Sequence, residues 1–164
     1  TQTTPPNQVI VGLSLFITLA VMSPVMTQIN DEAVQPFMNG QIEQEAAVER
    51  GVAPLRTFMM DQTRDKDLEL FMKINDAEAE TYEEVPMTVV IPAFIISELR
   101  TAFIIGFVLY LPFIVMDMVV ASTLMSMGMM MLPPTTISLP FKILLFVLAD
   151  GWNLIVGSLI ESFT

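Results

Sequence analysis

The sequence contains neither cysteine nor histidine among its 164 residues. Without cysteine, the chain has no disulfides, no zinc–thiolate sites and no thiol nucleophile. Cysteine usage therefore does not indicate whether the protein works in an oxidising or a reducing compartment. Without histidine, it lacks the commonest general base and metal ligand. We find no glycine-rich phosphate loop, no metal-ligand spacing and no serine nucleophile pattern. The sequence therefore predicts a protein that is not an enzyme and that needs no cofactor and no metal.

Charged residues are also scarce, at 15% of the chain, whereas hydrophobic residues make up 53%. Soluble domains usually carry about 25% charged residues, so this composition indicates a membrane protein or a deeply buried assembly subunit. The net charge of −11 is concentrated between Thr27 and Val85, a segment that contains 14 acidic and 5 basic residues. An excess of acid argues against nucleic acid and against anionic lipid surfaces as partners.

Hydropathy divides the chain into three predicted regions. Residues 1–26 comprise a linker and a first apolar helix, and residues 27–85 form an acidic, polar helical segment. Residues 86–164 form an apolar helical hairpin with its tip at 125–134. No strand alternation is visible, so we predict an all-α fold. The chain opens without methionine or a basic leader, and we expect that an N-terminal part has been removed.

The tip of the hairpin is a methionine-rich patch that ends in two prolines. Met129, Met130 and Met131 precede Pro133 and Pro134, and two consecutive prolines cannot continue a helix. Methionine side chains are unbranched and repack around irregular shapes. The patch could be simple packing at a helix tip, a gasket that closes a pore, or a weak Cu(I) site.

A few ionisable residues lie within the apolar half, where a charge is costly and often functional. They are Glu98, Arg100, Asp117 and Lys142. Opposite charges on different helices can pair and fix register, and Glu98 with Lys142 is one such pair, within a chain or between copies. Location at the membrane interface and a proton or ion relay through Asp117 and Glu98 are the alternatives.

Seven short motifs follow one another along the chain. They are Pro5-Pro6-Asn7-Gln8-Val9, Met22-Ser23-Pro24-Val25, Gln35-Pro36-Phe37, Ser97-Glu98-Leu99-Arg100-Thr101-Ala102-Phe103, Gly128-Met129-Met130-Met131-Leu132-Pro133-Pro134, Leu139-Pro140-Phe141-Lys142 and Asp150-Gly151-Trp152. In this order they resemble the FliP family of flagellar biosynthetic proteins, which is shared with the virulence type III secretion export apparatus. The resemblance covers essentially the whole chain, without the family's signal peptide and first hydrophobic helix.

The resemblance implies a subunit of the export gate in the bacterial inner membrane or flagellar basal body, with residues 27–85 on the periplasmic side. It implies a ring of five copies that assembles with FliQ-like and FliR-like subunits into a helical channel for unfolded flagellar substrates. The positions that match the family's motifs imply that Met129, Met130 and Met131 narrow the closed pore. They also imply that Glu98 and Lys142 bridge neighbouring copies. A small-solute or proton transporter and a purely structural membrane subunit are the competing interpretations.

Overall fold

A computed structural model describes residues 5–163 apart from 78, 80, 83, 130 and 132. The described residues form helices and connecting turns with no strand, which confirms the all-α prediction. The helices are α1 (Asn7–Ile29), α2 (Gln35–Met38), α3 (Gln44–Gln62), α4 (Asp65–Ile74), α5 (Met87–Ser126), α6 (Pro134–Leu148) and α7 (Gly151–Glu161), and a π-helical turn (Asn30–Val34) joins α1 to α2.

The chain divides into two compact units. Leu19–Ala102 form the first, which we call the acidic unit, and Thr1–Thr18 with Phe103–Thr164 form the second, the apolar unit. Helices α1 and α5 each contribute residues to both units. The two units are defined by which residues pack together, whereas the divisions predicted at residues 26 and 85 are defined by hydropathy. Those divisions therefore stay predictions.

The acidic unit has a hydrophobic core where α5 begins. Its buried members are Leu68, Val85, Val89, Val90 and Ala93. Four of these five residues precede or open α5, so the first turns of that helix pack within this unit. Arg56 donates a hydrogen bond to the carbonyl oxygen of Val85 and closes the chain just before the helix starts.

Gly51 and Pro54 have low helix propensity, yet both lie inside a helix of the acidic unit rather than at its end. Helix α3 runs through both residues from Gln44 to Gln62. A β-carbon at Gly51 would lie 3.5 Å from that of Ala33, and Pro54 is buried. Packing of these residues against their neighbours outweighs their low helix propensity, as tertiary contacts often do.

Apolar side chains cover the surface of the apolar unit. Among its described residues, Leu124 is the only buried large hydrophobic one. By length and composition, the helical stretches Asn7–Met38 and Met87–Ser126 are long and apolar enough to cross a membrane, and α6 with α7 adds a third span if that bent pair counts as one. These faces need lipid or protein to cover them.

An elbow joins α6 to α7. The helix axis bends by 58° between the two helices, and Asp150 between them adopts the left-handed conformation with a φ of 50°. The ring of Phe146 lies directly on Gly151, where a β-carbon would come within 2.4 Å of it. Trp152 meets the same ring edge-on at 5.3 Å between centroids. A side chain at position 151 would therefore displace the ring and disturb the bend.

Candidate functional site

The methionine tip connects α5 to α6, and the backbone closes α5 with a Schellman motif. Met129 N–H donates to the carbonyl of Leu124 at 3.0 Å and Gly128 N–H to that of Met125 at 3.1 Å. This motif needs a left-handed residue after the helix, and Gly128 supplies it with a φ of 74°. Helix α6 then starts at Pro134. The predicted interruption of helical structure is thus confirmed for the described residues.

The tip presents methionine side chains outward. Met131 is 98% exposed and Met129 is 40% exposed, while Met130 lies outside the described residues. Neighbouring Met125 and Met127 are exposed as well. Flexible apolar side chains therefore converge on one short turn without contributing to a core of their own chain.

A polar cluster attaches α6 to α5 behind the tip; we call Asp117, Ser138 and Lys142 the Asp117 cluster. Lys142 Nζ lies 2.5 Å from Asp117 Oδ2, and the fully buried Ser138 hydroxyl donates to Asp117 Oδ1. The side chains of Lys142 and Asp117 are only 17% and 24% exposed. The pair therefore lies in a largely desolvated position, where removal of one member leaves an uncompensated charge.

The sequence predicts a pair of Lys142 with Glu98, whereas within this chain Lys142 contacts Asp117. Along the sequence, Asp117 and Lys142 are nearly equidistant from the tip at residues 129–130. In a hairpin, residues at equal distances from the tip lie opposite each other, so this spacing could have predicted the pair. Glu98 belongs to the acidic unit, is partly covered, and makes no ion pair or hydrogen bond with the described residues. A contact between Glu98 and Lys142 of neighbouring copies stays a prediction.

A second polar cluster ties α4 to α5 in the acidic unit; we call Arg64, Asp67 and Ser97 the Asp67 cluster. The fully buried Ser97 hydroxyl donates to Asp67 Oδ2 at 2.6 Å and accepts from the backbone N–H of Arg64 at 3.1 Å. Arg64 Nη2 lies 2.5 Å from the same carboxylate oxygen. The Ser97 hydroxyl therefore uses both its donor and its acceptor between two helices.

This environment shifts the titration of Asp67. The hydrogen bond from Ser97 lowers the pKa of the Asp67 carboxyl below its ordinary value, burial acts in the opposite direction, and Arg64 and then Arg100 add to the lowering. Arg100, which the sequence predicts to be a buried charge, is exposed, and its positive charge lowers the pKa of Asp67 through electrostatic attraction. Asp67 thus stays ionised wherever the fold is intact at neutral pH.

The site residues predicted from the sequence do not include Ser97, Ser138, Arg64 or Asp67. A serine in a helix usually bonds to a carbonyl of the preceding turn, so neither serine stood out from the sequence. Within the described residues, no group of three or more acidic side chains is arranged to hold a metal ion. What the two clusters can do is hold helices in register, since each joins a carboxylate to a buried hydroxyl and a base.

Comparisons with known proteins return one family. A sequence model described as the FliP family matches residues 1–159. The flagellar biosynthetic protein FliP of Pectobacterium carotovorum subsp. carotovorum is 57% identical over 164 residues, which is 99% of this chain and 64% of that protein. Its counterpart in Bacillus subtilis (strain 168) is 55% identical over 99% of this chain and 74% of its own length.

A third relative, the flagellar biosynthetic protein FliP of Buchnera aphidicola subsp. Baizongia pistaciae (strain Bp), is 52% identical over 97% of this chain and 44% of its own length. The chain therefore spans between 44% and 74% of the length of these curated relatives. The matched range covers residues of both units.

Proposed function

Because this chain belongs to the FliP family, we propose that it is a core subunit of the flagellar type III export gate. In this proposal, copies of the chain form a channel for unfolded substrate proteins. The gate lies at the inner membrane within the flagellar basal body, and the acidic segment is on the periplasmic side. Further copies of the chain, together with FliQ-like and FliR-like subunits, cover its apolar faces.

The observation that carries the proposal is the exposed methionine tip. Met131 is 98% exposed at a turn between two apolar helices, close to the exposed Met125, Met127 and Met129, and a contiguous exposed apolar patch marks an interaction site. In a ring of copies, the tips converge on the axis and bury one another. Met129, Met130 and Met131 then form the seal of the channel.

The chemistry of methionine suits this role. A channel for unfolded protein must close against small solutes and still accommodate side chains of every shape. Thioether side chains have three rotatable bonds and repack around irregular surfaces, and an apolar constriction stops ions because water leaves it. Asp117 fits the role of proton carrier in the competing interpretation less well, because Lys142 and Ser138 already occupy its oxygens.

Contacts between copies involve Glu98 and Lys142 in this proposal. Glu98 lacks a partner among the described residues, whereas Lys142 is held by Asp117, so a neighbour's Glu98 joins an existing pair. Reversal of Lys142 to an acid would also repel Asp117. Substitution of Glu98 alone is therefore the cleaner test of this contact.

The experiment is to measure release of a small fluorophore from vesicles that contain the complete gate, assembled from the full-length chain and its partner subunits. One variant carries alanine at Met129, Met130 and Met131, and a second carries leucine there. A matched control carries alanine at Met22, Met26 and Met38, three methionines outside the tip. Assembly of each complex is checked by size-exclusion chromatography.

We expect the alanine variant of the tip to assemble and to leak at least several-fold faster than the control. The leucine variant should stay sealed but export substrates poorly, because branched side chains repack less freely. An assembled alanine variant that stays as tight as the control would reduce these methionines to packing residues.

A further inference from the structure

We propose that the Asp67 cluster is a positioning device: it fixes the rotation of α5 about its own axis and so aims Glu98 out of the acidic unit. This inference rests on the proposed function, in which Glu98 contacts a neighbouring copy. It assigns to Ser97 and Asp67 a role in assembly that acts through Glu98 rather than through direct contact with the neighbour.

The buried stripe of α5 leads to Ser97. Val89, Ala93 and Ser97 follow at intervals of four residues, and all three are fully buried. At 3.6 residues per turn this spacing places them on one face of the helix. The first two members contribute apolar packing, and Ser97 at the end of the stripe contributes the polar contact.

Apolar packing alone does not fix a helix rotation well. The hydrophobic effect is non-directional, and the core here consists of small valine and alanine side chains on α5. A hydrogen bond weakens steeply when its angle departs from linear. Ser97 makes two such bonds, to the Arg64 backbone and to Asp67, so a rotation of α5 would break both.

Glu98 follows Ser97 and points about 100° further around the helix. It is therefore carried to the flank of the buried stripe, where its carboxylate is partly covered and unpaired among the described residues. A charged hydrogen bond requires its heavy atoms about 2.7–2.9 Å apart. A rotation of α5 would move the Glu98 carboxylate away from a cation that meets it on a neighbouring copy, and the side chain would have to adopt another rotamer to restore the contact.

The test is a double-mutant cycle in the full-length chain, with the fraction recovered in the assembled complex as the readout. The cycle combines Ser97→Ala with Glu98→Gln. Thr101→Val is the matched control, because the Thr101 hydroxyl bonds only to the Ser97 carbonyl within its own helix. Ser97→Thr retains a hydroxyl, and Asp67→Asn retains an acceptor for Ser97; both stand in should Ser97→Ala fail to fold.

We expect Ser97→Ala to lower assembly roughly threefold to tenfold when Glu98 is present, and hardly at all on the Glu98→Gln background, as coupled residues do. Ser97→Thr and Asp67→Asn should fall between Ser97→Ala and the unaltered chain, again only when Glu98 is present. Thr101→Val should have the same small effect on both backgrounds.

Two contrary outcomes are distinguishable. If Glu98→Gln lowers assembly and Ser97→Ala adds the same further loss on either background, Ser97 is merely structural and the inference is overturned while the Glu98 contact stands. If Glu98→Gln assembles like the unaltered chain, the Glu98 contact in the proposed function fails, and the inference fails with it.

Discussion

The two units of the chain contain the same kind of polar cluster in different surroundings. Each joins an aspartate, a fully buried serine and a base across two helices: Asp67, Ser97 and Arg64 in the acidic unit, and Asp117, Ser138 and Lys142 in the apolar unit. The acidic unit adds a hydrophobic core beside its cluster. The apolar unit buries little apolar surface, so its polar contacts carry more of the attachment between helices.

The position of the base is the second difference. Arg64 lies three residues before Asp67 on the same stretch of chain, so their charges compensate each other even when α4 and α5 separate. Lys142 is on α6 and Asp117 is on α5, so separation of those helices leaves both charges uncompensated. The charges of the Asp67 cluster therefore stay compensated when its helices separate, whereas those of the Asp117 cluster do not.

The largest expected effect comes from breaking the ion pair of the apolar unit. Lys142→Met leaves Asp117 uncompensated, and we expect a loss of about 3 kcal/mol, the lower end for a buried pair because both side chains keep some exposure. Unfolding by SDS titration, followed by circular dichroism, measures it. Adding Asp117→Asn should recover most of the loss. An effect no greater than that of the exposed control Lys73→Met would contradict this account.

A smaller effect is expected from the hydrophobic core of the acidic unit, which has no counterpart among the described residues of the apolar unit. Leu68→Ala removes a buried side chain and should lower the free energy of unfolding by about 2 kcal/mol, since a small core partly collapses around the loss. Leu144→Ala, at an exposed position of the apolar unit, should change the free energy of unfolding of the unassembled chain by less than about 0.5 kcal/mol. Equal losses in urea titrations of the two variants would remove the distinction between the units.

The smallest effect is the acid sensitivity of the Asp67 cluster. Because the pKa of Asp67 is lowered on folding, its contribution to stability is complete above the unfolded value of about 4 and disappears as the pH falls through the folded value. Unfolding free energies should therefore show no contribution of Asp67 to pH dependence between pH 5 and 7. Below pH 4, the unaltered chain should lose stability more steeply than Asp67→Asn.

The control for this measurement is Asp65→Asn, which alters an exposed acid at the start of the same helix. That variant also removes one carboxylate from α4, but it leaves the hydrogen bond between Ser97 and Asp67 in place. If Asp67→Asn has the same acid slope as the unaltered chain, the charge of the Asp67 carboxylate contributes nothing to stability.

The sequence predicts the helical class and the interrupted tip because both follow from local rules. Long apolar runs without strand alternation indicate helices, and Gly128 with Pro133 and Pro134 indicates where one stops. The two clusters could not be predicted in the same way, because Ser97 lies 30 residues from Asp67 and 33 from Arg64 along the chain. Which face of α5 meets α4 depends on packing, and the continuous α3 through Pro54 depends on packing as well.

The elbow at Gly151 sets how far the return half of the hairpin reaches. A straight helix from Pro134 to Glu161 would be about 42 Å long, whereas the same residues bent by 58° at the elbow span only about 37 Å from end to end. The part of α5 in the same unit, from Phe103 to Ser126, is about 36 Å long. The contact between Phe146 and Gly151 thus shortens the returning segment. The longer segment from Pro134 to Glu161 and the shorter one from Phe103 to Ser126 therefore span nearly the same length.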